Sequence, residues 1–312
     1  MAAGLVLGSA AGAERYCEAN DLERYASRET FAKVDSARVR YRLLSRDQAA
    51  SPVVFLTGMI GSIEQWDLVQ SGVATFAPAL AYDRAGAGFS SGSSAHDAQQ
   101  QGDELAALLV AVGLNRPVVV VGYSASGSVA RGFAAQHPAQ VSALVLVEPT
   151  LPELDTRLPT RHGPWRTYGR TLGTCSLLSL FGVRRLANQF GFLKFQPLPR
   201  TEMDYRAQAV LQRFSHWWAF DRELLAQAAS EREVLAGTSV EDRPLVIFSA
   251  ESSGEDETAR AYAQLLQEYA SAHKGVMTSL GAVDHSVVLN QPESVKRIVE
   301  GLRDLTVKLR RD

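Results

Sequence analysis

Short apolar runs alternate with helical patterns along most of the chain from Thr30 onward. Each run is bounded by polar or turn-forming residues, which is typical of a β-strand. Several runs have no alternating polar positions, and such strands suit a sheet that is covered on both faces. The predicted strands are 32–34 and 39–44, which form a hairpin, and then 53–56, 79–82, 118–121, 144–147, 245–248 and 275–279.

Helical periodicity fills the intervals between these strands. The predicted helices are 103–112, 126–136, 258–270 and 292–309. In the first of them, Leu105, Leu108 and Leu109 recur with the spacing of one helix face. Strands that alternate with helices predict an α/β protein with a mostly parallel sheet and right-handed crossovers.

Residues 150–243 interrupt this alternation. The segment carries Arg, Trp, Phe and Pro in irregular helical pieces without a clear strand. We therefore predict a helical cap inserted into a core made of residues 30–149 and 244–312. Aromatic residues of this cap, Trp217 and Trp218 above all, either pack the apolar face of a helix or contact an apolar substrate.

Residues 1–29 form a predicted N-terminal extension that contains a helix. Its first 13 residues are small and apolar apart from one serine, and the end, Ala11-Gly12-Ala13, is similar to a signal-peptidase site without the basic leader. Thirteen residues are too few to span a bilayer. The stretch is interpreted as a processed export or anchor segment or as a disordered extension, so a cytoplasmic, an exported and a membrane-associated protein all stay open. Any membrane association is expected through this segment only.

Composition narrows the range of partners. The chain is 46% apolar, and its 32 basic and 34 acidic residues give a net charge of -2. This balance is typical of a folded domain and offers no basic face for nucleic acid. Cys17 and Cys175 are too few for a disulfide framework and lack zinc-site spacing. We expect a small-molecule substrate, no nucleic acid, no metal and no cofactor; the oligomeric state stays open.

One serine occupies a position suited to nucleophilic chemistry. Ser124 lies on a tight predicted turn between the apolar run 118–121 and the helix 126–136. Small residues at Gly122 and Ser126 let strand and helix approach, while the turn strains the serine backbone and projects its hydroxyl. The start of the helix offers the N–H of Ala125 to a developing oxyanion.

Two nucleotide-binding interpretations fail on their own patterns. The spacing of Gly122 and Gly127 matches a phosphate loop, but Ser128 stands where that loop needs lysine. Gly86-Ala87-Gly88 follows a strand as in a dinucleotide fingerprint, yet the third glycine, Gly92, comes one residue late. Neither pattern supports a nucleotide cofactor.

Four motifs together resemble the α/β-hydrolase family, and the resemblance covers Phe31 to Leu309. They are the oxyanion segment Leu56–Met59, the D-R-x-G-x-G-x-S loop Asp83–Ser90, the serine turn Gly122–Ser126, and Asp284-His285 followed by Gln291-Pro292-Glu293. The resemblance implies an eight-stranded-type sheet flanked by helices with a cap insertion. It also implies a catalytic triad, with the backbone N–H of Met59 as an oxyanion donor beside Ala125.

This chain departs from the family pattern at two of these motifs. Ser126 stands where the second glycine of the serine turn is usual, and Thr57 replaces the histidine before Gly58. The second change affects the expected shape of the oxyanion loop. In the family the loop with Asp83 and Arg84 is mostly architectural, so we expect these two charges to be structural.

His285 is the candidate general base. Histidine takes and returns a proton near neutral pH without a large pKa shift. His285 lies in the loop between the last predicted strand and the last predicted helix, and it follows Ser124 in the order that a triad on this fold requires.

The acid is the residue on which this chain disagrees most with its family. The family aspartate usually follows the strand 245–248, but the expected position holds Ser253. Some members, haloalkane dehalogenases included, carry the acid after the preceding strand, where this chain has Glu148. We predict Glu148 as the acid, with Asp256 as the alternative and Glu251 and Glu255 behind it.

These residues predict a cofactor-independent serine hydrolase that cleaves a small apolar ester, thioester or related carbonyl compound. Alternatives are a non-catalytic ligand-binding member of the fold, and a carbon–carbon hydrolase, perhydrolase or lyase that reuses the triad. Serine at the turn argues against dehalogenase and epoxide hydrolase chemistry, for which the similar families use a carboxylate nucleophile.

Overall fold

Eight strands form one mixed, mostly parallel sheet in the computed structural model, which describes residues 2–44, 49–92, 97–151, 173–190, 202–237, 243–251 and 257–311. The spatial order is β1-β2-β4-β3-β5-β6-β7-β8. Strand β2 is antiparallel to both of its neighbours, and the other pairs are parallel. The strands are β1 (Thr30–Val34), β2 (Ala37–Leu44), β3 (Val53–Leu56), β4 (Ala79–Tyr82), β5 (Val118–Tyr123), β6 (Val141–Val147), β7 (Leu245–Ser249) and β8 (Val276–Ser279).

Helices cover both faces of this sheet. Leu108, Phe133 and Leu266 belong to helices that cover one face, while Val69 and Leu302 belong to helices that cover the other. Because both faces are buried, the central strands are continuous apolar runs. The α-helices of the described residues are α1 (Ala2–Asp21), α2 (Asp67–Val73), α3 (Ala98–Ala111), α4 (Ser126–Gln136), α5 (Thr174–Leu180), α6 (Val183–Gln189), α7 (Glu202–Gln212), α8 (Phe214–Gly237), α9 (Glu257–Ala272) and α10 (Pro292–Leu309).

The predicted fold class is confirmed. The predicted core strands and helices differ from the observed ones only at their ends, but helix α2 was not predicted. Helix α3 begins at Ala98 and not at residue 103, because the Asp97 side chain accepts a hydrogen bond from the N–H of Gln100 and caps the helix. Polar side chains in this first turn interrupt the apolar spacing from which the helix was predicted. Strand β6 begins at Val141, ahead of the apolar run that marked it in the sequence.

The N-terminal extension is helical, which differs from the disordered alternative. Alanine and leucine are strong helix formers, and they dominate the first part of α1. Arg185 of helix α6 binds Glu14 and Asp21 of α1, and the side chain of Glu14 is buried. None of the described helices is long and apolar enough to cross a membrane.

Helices α5 to α8 lie between β6 and β7 in the chain, and we call residues 150–243 the insertion. The 24-residue helix α8 makes most of the contacts between its described part and the core, chiefly with α4 and α3. Through α8 the insertion reaches the loops that follow β3 and β4. These loops lie at the carboxyl edge of the sheet, where ligands bind in open α/β sheets.

Candidate active site

The turn after β5 has the strained geometry that its sequence predicts. Ser124 has a φ of +55°, in the left-handed region that side chains other than glycine seldom adopt. Its carbonyl accepts hydrogen bonds from the N–H groups of Gly127 and Thr150, which hold the turn. A Cβ atom at Gly122 would lie 2.7 Å from the carbonyl oxygen of Ser126, so only glycine fits there. The Ser124 side chain therefore stands apart from strand and helix.

Ser126, the departure from the usual second glycine, contributes its own bonds. Its buried hydroxyl lies 2.9 Å from the N–H of Tyr123, which donates to it, and 2.9 Å from the carbonyl of Leu56, to which it can donate. This hydroxyl joins the carboxyl ends of β3 and β5. The substitution thus ties the serine turn to the adjacent oxyanion segment.

Glu148 follows β6 directly and is held from two sides. Its φ of +47° is again left-handed, and its N–H donates to the carbonyl of Phe248 in β7. The Oε1 atom accepts hydrogen bonds from the N–H of Ala250 at 2.7 Å and the hydroxyl of Ser249 at 3.1 Å. The side chain is only 8% exposed. These contacts fix the carboxylate and leave Oε2 directed at one partner.

That partner is His285, in a short turn after β8. Its Nδ1 lies 3.3 Å from Oε2 of Glu148, and its Nε2 lies 3.0 Å from Oγ of Ser124. Tyr123 supports the imidazole, because its hydroxyl donates to the carbonyl of His285 at 2.5 Å and the two rings stack 5.2 Å apart. The structure thus brings Ser124, His285 and Glu148 together as a connected set.

Glu251, one of the other acid candidates, is not part of this set. Glu251 is exposed, and its Oε1 accepts a hydrogen bond from the hydroxyl of Ser279. Its N–H donates to the carbonyl of Gly281. Asp256 and Glu255 lie outside the described residues, as does Ser253.

Two backbone N–H groups close to Ser124 are available to a ligand. Within the described ranges, the N–H groups of Met59 and Ala125 have no hydrogen-bond acceptor. Both residues line a small, partly open cavity, which also borders Gln227 of helix α8. A Cβ at Gly58 would lie 3.0 Å from the Tyr123 ring and 3.5 Å from Cβ of Ser124. The segment Leu56–Met59 and the serine turn are therefore adjacent.

Arg84 binds Thr57, the residue that replaces the family's histidine in the oxyanion segment. Its Nη1 donates to the carbonyl of Thr57 at 2.8 Å and to the hydroxyl of Thr57 at 2.9 Å. Its Nε and Nη2 donate to the two carboxylate oxygens of Glu223 in α8. Asp83 faces away from this cavity and binds Arg40 and the N–H groups of Ile63 and Phe89. The charges of this loop have structural partners, as expected.

The two candidate substrate-binding tryptophans occupy different places. Trp217 is buried in the insertion, where its indole N–H donates to the carbonyl of Leu211 and its ring lies under the guanidinium of Arg184. Trp218 is half-exposed and stacks on Phe214. The described residues of α8 that line the cavity are Glu223, Gln227 and Ser230, on a different part of the helix.

Sequence reasoning missed the residues that orient the candidate site. Tyr123 supports His285, while Ser249 and Ala250 hold Glu148. An aromatic residue directly before the turn serine is the one local signal among these. The other contacts join segments about 100 residues apart and have no signature in the sequence.

Burial gives one carboxyl next to Arg84 an unusual pKa. Glu104 of α3 accepts a hydrogen bond from the N–H of Ala85, and burial raises the pKa of Glu104 from 4.5 to about 7. A raised acid pKa means that the folded state binds the proton more tightly than the unfolded state. The stability from this group is thus full below pH 4.5 and is lost as the pH rises through 7.

We predict that Glu104→Gln removes this pH-dependent loss of stability. The amide oxygen of the glutamine still accepts the hydrogen bond from the Ala85 N–H, and the side chain carries no charge at any pH. The free energy of unfolding of the variant relative to wild type should rise by about 2 kcal/mol between pH 5 and pH 8. Urea unfolding at both pH values measures it. Glu251→Gln, on an exposed carboxylate, is the control. A difference that does not change with pH contradicts the prediction.

Comparison with known proteins places these observations in context. A family model described as the alpha/beta hydrolase family matches residues 53–298. This range contains every residue of the connected set, together with Met59, Ala125 and the insertion. The match therefore covers the whole candidate site.

Solved structures with the same fold are diverse. A loop variant of a haloalkane dehalogenase from Bradyrhizobium elkanii is similar with a TM-score of 0.67 and 19% identity, over 89% of this chain and 97% of that one. For carboxylesterases of the thaumarchaeon Nitrososphaera gargenis the TM-score is 0.60 and the identity 18%, over 89% and 99%. An alpha/beta hydrolase enzyme from a Medee basin deep-sea metagenome library has a TM-score of 0.61 and 17% identity, over 88% of this chain and 97% of that one. At these identities the likeness establishes the fold.

Proposed function

We propose that this chain, which belongs to the alpha/beta hydrolase family, is a serine hydrolase that cleaves a small apolar ester, thioester or related carbonyl compound through an acyl-enzyme. The observation that carries the proposal is the connected set Ser124–His285–Glu148, with distances of 3.0 Å and 3.3 Å. These are the contacts that an activated serine needs, allowing for a slightly long hydrogen bond in a free enzyme.

In the first half of the reaction, Oγ of Ser124 attacks the substrate carbonyl and passes its proton to Nε2 of His285. Glu148 accepts the hydrogen bond from Nδ1–H, which holds the required tautomer and stabilises the imidazolium. The carbonyl becomes a tetrahedral oxyanion. When it collapses, His285 returns the proton to the leaving group, and the acyl group stays on Ser124.

In the second half, water attacks the acyl-enzyme by the same route. His285 takes a proton from the water and returns it to Oγ of Ser124 as the second tetrahedral oxyanion collapses, which releases the acid and the free Ser124. The N–H groups of Met59 and Ala125 stabilise both oxyanions. Each such donor contributes about 3 kcal/mol in comparable sites.

The insertion is proposed to act as a cap that selects the substrate. Three residues of α8 line the cavity beside Met59 and Ala125, so a group bound there contacts the insertion and the oxyanion segment together. The walls combine an apolar part, with Met59 and Val129, and a polar part that contains the ion pair of Arg84 and Glu223. The apolar part is proposed to receive a short acyl or alkoxy chain.

Dehalogenation, the activity in the description of one structural neighbour as a haloalkane dehalogenase, is not the function that this site favours. Displacement of a halide by a covalent route needs a carboxylate nucleophile, and this chain carries Ser124 at that turn. Glu148 is engaged with His285 and Ala250. Its carboxylate therefore serves as a partner of the imidazole.

A partition experiment tests the acyl-enzyme. Esters that share one acyl group but differ in leaving group must pass through the same acyl-enzyme, so added methanol should divide it between acid and methyl ester in one constant ratio. The acyl group for this experiment is the one that the protein hydrolyses fastest in a panel of chromogenic esters of increasing acyl length. A ratio that changes with the leaving group would rule out a common covalent intermediate.

A further inference from the structure

A buried histidine of the insertion contacts the loop that carries the proposed oxyanion donor. His216 of α8 is 2% exposed, and both of its ring nitrogens are bonded. Its Nδ1 accepts the N–H of Gly88 at 3.1 Å, and its Nε2 lies 3.1 Å from the carbonyl oxygen of Ile60. Because Nδ1 accepts, the ring proton is on Nε2 and is donated to Ile60. Burial lowers the pKa of His216 to about 3, so this tautomer persists at neutral pH.

A chain of hydrogen bonds continues from Ile60 to Met59. Residues 58–61 form a turn in which the N–H of Gly61 donates to the carbonyl of Gly58 at 3.0 Å. In a trans peptide the C=O and the N–H point in opposite directions. The Ile60 carbonyl and the Gly61 N–H are the two ends of one peptide group, and the Gly58 carbonyl and the Met59 N–H are the ends of another. His216 is thus linked to the Met59 N–H through two peptide groups.

The turn itself is strained. Ile60 has a φ of +65°, a left-handed conformation in which a β-branched residue is an outlier. Glycine is usual at the third position of a turn with this φ. A bond to the Ile60 carbonyl counters the tendency of the peptide to rotate away. Without that bond, the turn can relax and carry the Met59 N–H out of alignment.

We propose that His216 is a positioning residue of the oxyanion hole, which aligns and polarises the Met59 N–H through Ile60 and Gly61. The inference rests on the proposed function. Hydrogen bonds in such a chain strengthen one another, so the donor at the end becomes a better partner for an oxyanion. The insertion thereby takes part in transition-state stabilisation in addition to any selection of substrate.

The two ring nitrogens can be tested separately. His216→Gln places an amide N–H near the position of Nε2 and keeps the bond to Ile60, while it gives up the bond to Gly88. His216→Asn places an amide oxygen near Nδ1 and keeps the bond to Gly88, while it gives up the bond to Ile60. Both are buried polar substitutions of similar size, so a role in packing alone predicts equal effects.

Asp221→Asn is the matched control in the same helix. Asp221 is buried, and its Oδ2 accepts bonds from Ser176 and Gly173, both within the insertion. This variant disturbs a buried network of α8 whose bonds, among the described residues, stay within the insertion. Ser124→Ala is measured beside it, so that loss of the proposed function is recognised independently.

Two readouts are measured with esters that the wild type hydrolyses. We expect His216→Asn to lower kcat/KM by about tenfold or more, since loss of a whole oxyanion donor costs 10² to 10³, and His216→Gln to stay within about threefold. The second readout is the infrared carbonyl frequency of a slowly hydrolysed cinnamoyl acyl-enzyme. It should rise in the Asn variant only, because a weaker oxyanion bond polarises the carbonyl less.

Three results would overturn the inference. The first is an equal loss of kcat/KM in the Gln and Asn variants, and the second is no loss in either. The third is a loss in Asp221→Asn as large as that in His216→Asn. If Ser124→Ala remains active, the proposed function fails and the inference fails with it. If His216→Asn does not fold, His216→Gln decides alone: wild-type frequency and near wild-type kcat/KM support the inference, and a tenfold loss overturns it.

Discussion

Ser124→Ala is expected to reduce ester hydrolysis by at least about 10⁴-fold while the protein remains folded. The hydroxyl oxygen is the proposed nucleophile, and alanine cannot replace it. Alanine is compatible with the rest of the turn, because the bonds of residue 124 shown by the structure, apart from that to His285, involve its backbone. Steady-state kinetics on the best chromogenic ester measures the loss.

Ser128→Ala is the matched control for this variant. Ser128 lies in the adjacent helix α4, is buried and lines the same cavity. The control should keep the order of magnitude of the wild-type rate. Activity of Ser124→Ala within about tenfold of wild type would refute the assignment of the nucleophile.

Glu148→Gln is expected to lower turnover by about 10³ to 10⁴-fold. The amide oxygen can retain the bond from the Ala250 N–H, so the side chain should keep its position. Its NH₂ group then faces Nδ1 of His285 and donates to it, which places the ring proton on Nε2. With that tautomer Nε2 cannot accept the Ser124 proton, and the negative charge that stabilises imidazolium is lost.

The other carboxylates provide the controls. Glu251→Gln changes an exposed carboxylate bound to Ser279, and Asp256→Asn changes the alternative acid that the sequence left open. Both should have kcat within a few fold of wild type. A large loss in Asp256→Asn together with a small one in Glu148→Gln would transfer the role of the acid and leave Ser124 and His285 in place.

Local patterns predicted the sheet and four of the helices that cover it, because each central strand is buried on both faces and each of these helices has one apolar face. The seven-residue helix α2 was not predicted. The serine turn was predictable because the crowding at Gly122 and the strained backbone at Ser124 limit the residues that fit there. Glu148 was predicted from the resemblance to family members that carry the acid after this strand, and its place at the carboxyl edge of the parallel strands agreed with that choice.

The contacts that orient these groups were not predictable from the sequence. His216 lies 156 residues from Ile60 and 128 from Gly88 in the chain. The sequence around it indicates only a helix of the insertion. Arg84 was expected to be architectural, yet its second partner, Glu223, also comes from that helix. These contacts depend on how α8 docks onto the core, which no local pattern encodes.

Labelling with a fluorophosphonate tests the central claim, an activated Ser124, most directly. Intact mass before and after treatment, followed by peptide mapping, should show one adduct per chain, located on Ser124 and absent from Ser124→Ala. The His285→Ala variant should react with the label at least about 10³-fold more slowly, because the serine loses its base. Wild-type protein that takes up no label, or takes it up at another residue, would contradict the proposed function.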